Sequence, residues 1–285
     1  MKILVTGYKG QLGYEVVKVL EQRGIDCLGA DIEQFDITDR EAVNTYVKGY
    51  RPDAVIHCSA YTAVDKAEDE EKLCEAVNAE GTRNIALVCR ELDAKMIYIS
   101  SDYVFPGTGN GESEVNDPIG PLNVYGITKF AGELVVREML PKHFIVRISW
   151  LFGLNGKNFI RTMLRLGKEL SEVKVVCDQI GSPTYTADIA RLLCDMAVTD
   201  KYGTYHATNE GFCSWAEFAE EIFLQAGYET KVNHIPTSEY PAKARRPMNS
   251  RLSKKSLDEA GFMRLPAWKD ALERYLKELK DYCNA

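Results

Sequence analysis

The chain has 285 residues, of which 45% are hydrophobic and 27% charged, and its formal net charge is −7. That length suits one nucleotide-binding-sized domain with a smaller lobe attached. The acidic balance excludes a chain drawn as a whole to nucleic acid or to an anionic membrane surface. The apolar run after Met1 is too short for a signal peptide, and no stretch approaches the ~18 apolar residues of a membrane helix. The eight cysteines are scattered, with no Cys-x-x-Cys pair and no zinc-site spacing. The expectation is a cytoplasmic protein with structural thiols in a reducing compartment.

Strand-like and helix-like segments alternate from the start. Residues 2–6 are β-rich, and 11–22 carry Leu12, Val16, Val19 and Leu20 at helical spacing. A second strand is expected over 26–31 and a helix over 39–48, capped by Thr38 or Asp39. A third strand covers 54–57, a single long helix 73–92 and a strongly apolar fourth strand 95–99. A loop rich in Gly, Pro, Asp and Asn fills 106–121, followed by a helix at 123–138 and a strand at 144–148. Beyond residue 150 helices are expected near 158–169, 187–198, 215–226 and 268–282. The order βαβα implies an α/β fold, a Rossmann-type doubly wound parallel sheet in residues 1–150. A smaller C-terminal substrate-binding lobe follows over 151–285, with an approximate boundary.

Gly7, Gly10 and Gly13 follow the first strand as Gly-x-x-Gly-x-x-Gly. Without Cβ atoms such a loop lets a pyrophosphate approach the backbone, and the helix behind it aims free N–H groups at the negative charge. Gly13 permits close packing of helix on strand. A tight turn against a helix would use the same glycines. Asp31, at the end of the second strand, could accept hydrogen bonds from an adenosine ribose or stand as a solvated turn carboxylate. Asp36 and Ile37 could flank the adenine. Cys58, Ser59 and Ala60 are small enough to let a dinucleotide lie across the sheet edge, or simply pack closely.

Tyr125 and Lys129 stand four apart on a predicted helix and so share a face. Ser101 ends the fourth strand, on the side of the sheet where ligands bind in open parallel folds. These three side chains can meet at one carbonyl. Hydride attack on a ketone places negative charge on oxygen, which calls for a proton. A free phenol, with a pKa near ~10, donates it poorly. A neighbouring ammonium is expected to favour the phenolate, and Ser101 to hold the carbonyl oxygen.

These residues resemble the extended short-chain dehydrogenase/reductase superfamily, and within it the dTDP-4-dehydrorhamnose reductase family. The resemblance is carried by Gly7-Tyr-Lys-Gly10-Gln11-Leu12-Gly13, Ala60-Tyr-Thr62-Ala-Val64-Asp65-Lys66-Ala-Glu68 and Ser101-Asp102-Tyr103-Val104-Phe105. Pro121-Leu-Asn123-Val-Tyr125-Gly-x-x-Lys129, Ser149-Trp150, Asn158-Phe159, Asp178-Gln179-x-Gly181-x-Pro183-Thr184 and Arg246-Pro247 continue it along nearly the whole chain.

The resemblance implies reduction of the 4-keto group of dTDP-4-dehydro-β-L-rhamnose by NADPH or NADH, with Tyr125 as proton donor beside Ser101 and Lys129. It places Gly7, Gly10, Gln11, Leu12, Asp31, Asp36, Ile37, Ser59, Ala60, Tyr61, Thr62, Tyr125 and Lys129 at the cofactor. Val64, Lys66, Ser101, Asp102, Tyr103, Trp150 and Arg246 fall at the dTDP-sugar substrate.

Ser101 stands where the family usually has threonine, and Ser59 where alanine is common. Glu15 fits one position of a magnesium-linked dimer, but Ala187 replaces a second glutamate, so no metal is expected, and the chain is a monomer or homodimer. Dehydratases of the superfamily carry Asp-Glu after the Ser/Thr; here Asp102 is followed by Tyr103. The alternatives are another sugar-nucleotide reductase or epimerase, or a non-catalytic regulatory subunit resembling that of methionine adenosyltransferase.

Two charge runs read less sharply. Asp65, Glu68, Asp69, Glu70 and Glu71 suit a solvated helix start. Lys243, Arg245, Arg246 and Arg251 suit either a grip on a diphosphate or a solvated surface. The four histidines stand isolated, and the stripe Trp215, Phe218, Ile222, Phe223 reads as core packing.

Overall fold

A computed structural model describes residues 1–284, with side chains to residue 282, so Cys283 lies outside the described side chains. The elements run β1 (Lys2–Thr6), α1 (Gln11–Gln22), β2 (Asp26–Ala30), α2 (Arg40–Tyr50), β3 (Ala54–His57), α3 (Val64–Ala67) and α4 (Glu71–Glu75). A π-helical turn (Ala76–Gly81) leads into α5 (Thr82–Leu92), β4 (Lys95–Ser101), a 3₁₀ turn (Asp102–Val104), α6 (Val124–Met139) and β5 (His143–Ile148). Next come β6 (Leu151–Phe152), α7 (Phe159–Glu169), β7 (Glu172–Val176), β8 (Ile180–Gly181), β9 (Thr184–Tyr185), α8 (Thr186–Ala197) and β10 (Gly203–His206). The chain ends with β11 (Asn209–Glu210), β12 (Cys213–Ser214), α9 (Trp215–Ala226), β13 (Lys231–Ile235), β14 (Asn249–Ser250), α10 (Lys255–Glu259), β15 (Leu265–Ala267) and α11 (Trp268–Asn284).

Six parallel strands form the main sheet in the order β10-β5-β4-β3-β1-β2. Alternation along β1 divides the core. Ile3 and Val5 pack with α1 and α8 on one face, while Leu4 packs with α2, α5 and α6 on the other. Strand order reverses between β1 and β3, so the cleft beyond their carboxyl ends is where such sheets take ligands. A separate core of Phe152, Ile160, Met163, Phe218, Phe223, Trp268 and Tyr275 holds the second lobe.

Helix starts follow their caps. Asp39 accepts from Glu41 N and Ala42 N, Asn123 from Gly126 N and Asn158 from Arg161 N, and Ser214 with Glu217 closes a capping box. The helix expected over 73–92 is present as a continuous helical run from Glu71 to Leu92. It contains a π turn, where Gly81 packs so tightly that a Cβ would meet the Ile37 side chain at 2.8 Å.

Strand β10 was not expected, and with α8 it builds the Rossmann layers from residues beyond 150, so segments of the two halves interleave. The seven described cysteines are free. No described helix is long and apolar enough to cross a membrane.

A fully buried ion pair joins α6 to the sheet. Glu133 Oε1 accepts from Arg147 Nε at 2.8 Å and Oε2 from Arg147 Nη2 at 2.7 Å, while Ser100 Oγ donates to Oε1 at 2.5 Å. Arg147 also donates to Val115 O at 3.0 Å and stacks on Phe105. Removing one partner strands a buried charge. Arg147→Met is therefore expected to cost about 3–5 kcal/mol in urea unfolding at neutral pH, and Glu133→Leu/Arg147→Met to recover most of it. A single-variant loss below about 1 kcal/mol would mean the pair is not desolvated as described.

Candidate active site

A cavity of about 800 Å³ opens at the carboxyl ends of β1, β3 and β4. Its floor is the glycine loop. Gly7 has φ 67°, and a Cβ there would lie 2.7 Å from Ser59 N. A Cβ on Gly13 would lie 2.2 Å from Gly7 O, so helix α1 meets the loop at a distance only glycine permits. Gly10 caps α1 with no side-chain partner and no acid in the first turn, which leaves that helix end open to an anion. Asp31 sits just past β2 and is fixed by two amides, Lys9 N at 3.0 Å and Ile32 N at 2.9 Å. A loop stripped of Cβ atoms, an uncapped helix N-terminus and a fixed carboxylate together fit a dinucleotide.

Tyr125, Lys129 and Glu133 lie on successive turns of α6, on the face toward the sheet. Lys129 is 2% exposed, and its Nζ lies 4.2 Å from the Tyr98 ring centroid. Burial pulls its ammonium down to about 7, with Glu133 opposing. Burial also raises the Tyr125 phenol, against a hydrogen bond with Ser101 that lowers it. This differs from the expected depressed phenol. Desolvation of the phenolate outweighs the help, and the same burial weakens the charge on Lys129 that was expected to supply it.

Ser101 Oγ donates to Asp102 Oδ1 at 2.9 Å and accepts from Tyr103 N at 3.2 Å. Burial pushes the Asp102 carboxyl up to about 6. The Tyr103 ring meets Tyr125 edge-on at 5.4 Å.

Of the residues singled out in the sequence, Gly7, Gly10, Gln11, Leu12, Asp31, Asp36, Ile37, Ser59, Ala60, Thr62, Val64, Ser101, Asp102, Tyr103, Tyr125, Lys129 and Trp150 line this one cavity. Tyr61, Lys66 and Arg246 do not. The Tyr61 hydroxyl donates to Glu70 Oε2 at 2.6 Å. Arg246 is held bidentately by Asp65, at 3.0 and 2.7 Å, and Ala244 N donates to the same carboxylate. Lys243 pairs with Asp69. The acidic and basic runs thus partly satisfy each other and tie the 243–246 segment to α3.

Other positions at or beside the cavity were not singled out as site residues in the sequence. Lys9, Phe35 and Lys157 line the cavity. Asn78, on the π turn, accepts from Tyr61 N at 2.8 Å and donates to Thr128 Oγ1 at 3.1 Å, and Thr128 donates to Tyr125 O at 3.0 Å. Glu68 accepts from Val124 N at 2.9 Å. His57 is buried between Thr6 and Thr82, and burial drags its imidazole down to about 3, so it stays neutral at physiological pH. Among the described residues no group of His, Cys, Asp and Glu has the arrangement of a metal site.

The model of the RmlD substrate binding domain matches residues 1–281. The chain is 38% identical over 283 residues to the spore coat polysaccharide biosynthesis protein SpsK of Bacillus subtilis, covering 99% of each. It is 42% identical to a dTDP-4-dehydrorhamnose reductase of Streptomyces griseus, over 94% of this chain and 91% of that protein. The crystal structure of the dTDP-4-dehydrorhamnose reductase from Bacillus anthracis in complex with NADP superposes with a TM-score of 0.95 at 43% identity, over 97% of this chain and 99% of that one. From its glycine loop to its last helix, the chain belongs to the RmlD substrate binding domain family, alongside the dTDP-4-dehydrorhamnose reductases it is similar to.

Proposed function

We propose that the chain reduces the 4-keto group of dTDP-4-dehydro-β-L-rhamnose to dTDP-L-rhamnose, using NADPH or NADH. The observation that carries the reading is the convergence of Ser101, Tyr125 and Lys129 on one cavity with the glycine loop, Asp31 and Trp150. When bound, the reduced dinucleotide supplies the hydride that the ketone carbon accepts. Gly10, Gln11 and Leu12 at the α1 N-terminus would hold its pyrophosphate, and Asp31 its adenosine ribose. The sugar nucleotide would lie toward Trp150, with Leu151 and Lys157 lining the cavity beyond it.

Proton delivery falls to Tyr125. Its raised pKa keeps the phenol protonated at neutral pH, which suits a donor at rest. As charge grows on the ketone oxygen, Ser101 donates a hydrogen bond to it and the Tyr125 O–H passes its proton across, forming the alcohol. The phenolate left behind is stabilised by Lys129 in its charged form and regains a proton from solvent. Asp102, one residue from Ser101, accepts that serine's hydroxyl until substrate takes its place.

Net oxidation of NADPH or NADH on adding the dTDP-4-keto sugar is the direct test. A bound cofactor that is never consumed would instead fit an epimerase, and no turnover on any keto-sugar a regulatory subunit. Tyr125→Phe is expected to lower kcat by about 10²–10⁴-fold with the cofactor Kd nearly unchanged. Unaltered turnover would remove Tyr125 from proton delivery.

The pH profile follows from Lys129. Its charged form dominates below about 7 and is lost above it, so kcat/KM is expected to fall on the alkaline side. The fall should vanish in Lys129→Met, whose rate is low throughout. A flat wild-type profile from pH 6 to pH 9, a range chosen to span the free histidine and thiol values of roughly 6.5 and 8.5, would contradict the need for an ammonium there.

A further inference from the structure

The motif Asp178-Gln179-Ile180-Gly181-Ser182-Pro183-Thr184 takes no part in the chemistry above, yet in the structure it is built around Trp150. Trp150 has φ 49°, a left-handed backbone that a bulky side chain keeps only when its surroundings hold it. The restraints are specific. Trp150 O accepts from Thr184 N at 3.1 Å. Ser149 is fixed twice: its Oγ donates to Ser182 O at 2.7 Å, and its carbonyl accepts from Thr184 Oγ1 at 2.6 Å. At Gly181 a Cβ would lie 2.8 and 3.0 Å from carbons of the Trp150 ring, so only glycine leaves the indole its space.

The indole's face is covered from the other lobe. Trp150 stacks on Trp215 with ring centroids 3.7 Å apart and planes within 16°. Trp215 opens α9, behind the Ser214–Glu217 capping box, and is braced by the Phe159 ring at 4.7 Å. Trp150 lines the cavity and Trp215 does not. Phe218, Ile222 and Phe223 of the same stripe are fully packed in the lobe core, whereas Trp215 stays partly exposed.

We infer that Trp215 is a positioning residue for substrate binding: through its stack, opposite the 178–184 segment, it fixes Trp150 as the aromatic wall against which the nucleotide sugar packs. This rests on the proposed reading of the cavity as a dTDP-sugar site. An indole locked in one plane offers its cavity-facing edge to the ligand without first losing rotamer freedom, so the benefit falls on affinity rather than on the chemical step.

The experiment compares Trp215→Ala, Trp215→Phe and Trp150→Ala with the native chain. Steady-state kinetics with the dTDP-4-keto sugar, Kd for dTDP, Kd for NADPH and near-UV circular dichroism are measured on each. The chain has three tryptophans, so an exciton couplet from the 150–215 stack is readily identified. Trp215→Ala should lose the couplet and raise both KM for the sugar and Kd for dTDP about three- to tenfold, the equivalent of one aromatic stack. Its kcat and NADPH affinity should hold, and Trp215→Phe should recover most of the loss.

Unchanged KM and dTDP affinity with the couplet gone would overturn the inference. So would kcat, NADPH binding and thermal stability all falling together in both Trp215 variants. Trp150→Ala separates the two layers of argument. If it too leaves dTDP affinity untouched, the reading of the cavity fails; if it weakens dTDP while Trp215→Ala does not, only the positioning role fails.

Discussion

The site depends on where α6 lies against the sheet, and that placement is made by one buried carboxylate. Glu133 takes four hydrogen bonds, two from Arg147 on β5, one from Ser100 on β4 and one from Arg137 a turn further along α6. A carboxylate without solvent has to satisfy its oxygens within the protein, so its geometry tolerates little sliding of the helix. Ser100 precedes Ser101, and Glu133 lies one turn from Lys129 and two from Tyr125. The contact that fixes the helix therefore sets the distance between the serine hydroxyl and the phenol. At the helix start, Asn123 and Glu68 occupy the free amides of Gly126 and Val124. The helix is pinned on both sides of Tyr125 and Lys129.

Burial is the second constraint, and it acts on Tyr125 and Lys129 together. It raises the phenol and lowers the ammonium, so each resists its charged form. A dry site that holds a protonated phenol beside an ammonium responds strongly when negative charge develops on an oxygen within it. The low dielectric that disfavours isolated charges makes their mutual stabilisation larger once they form. Glu133 adds to this by supporting the Lys129 ammonium, while Arg147 holds Glu133 in place.

The Rossmann half was legible because its signals are local. Apolar runs, helical spacing and a capping residue such as Asp39 fall within a few residues of the element they define, and α1 and β3 begin and end where the pattern places them. The glycine loop and the Tyr125–Lys129 spacing are legible for the same reason. Strand β10 was not, because Gly203-Thr-Tyr-His206 is short and has no alternation; only hydrogen bonding to β5 makes it a strand. The π turn was hidden because one extra residue in a helical turn leaves no mark on the apolar spacing; in the structure Gly81 of that turn packs against Ile37. Arg246 shows a different limit. A basic run states its charge but not its partner, and an acidic run some 180 positions earlier turned out to hold it.

The same limit explains why the second lobe reads as irregular while being specific in space. Its motifs are not elements but sockets. Gly181, Ser182 and Thr184 matter for what they permit around Ser149 and Trp150, and no periodicity encodes that relation. Trp150 stands at the end of β5, on the rim of the nucleotide-binding sheet, while the surfaces that hold its strained backbone and its ring come from residues 30 to 65 positions further along. A side chain that one half presents and the other half orients couples the two at the point where they meet the ligand. Packing at that seam therefore bears on how the cavity is shaped as well as on how the chain stays folded.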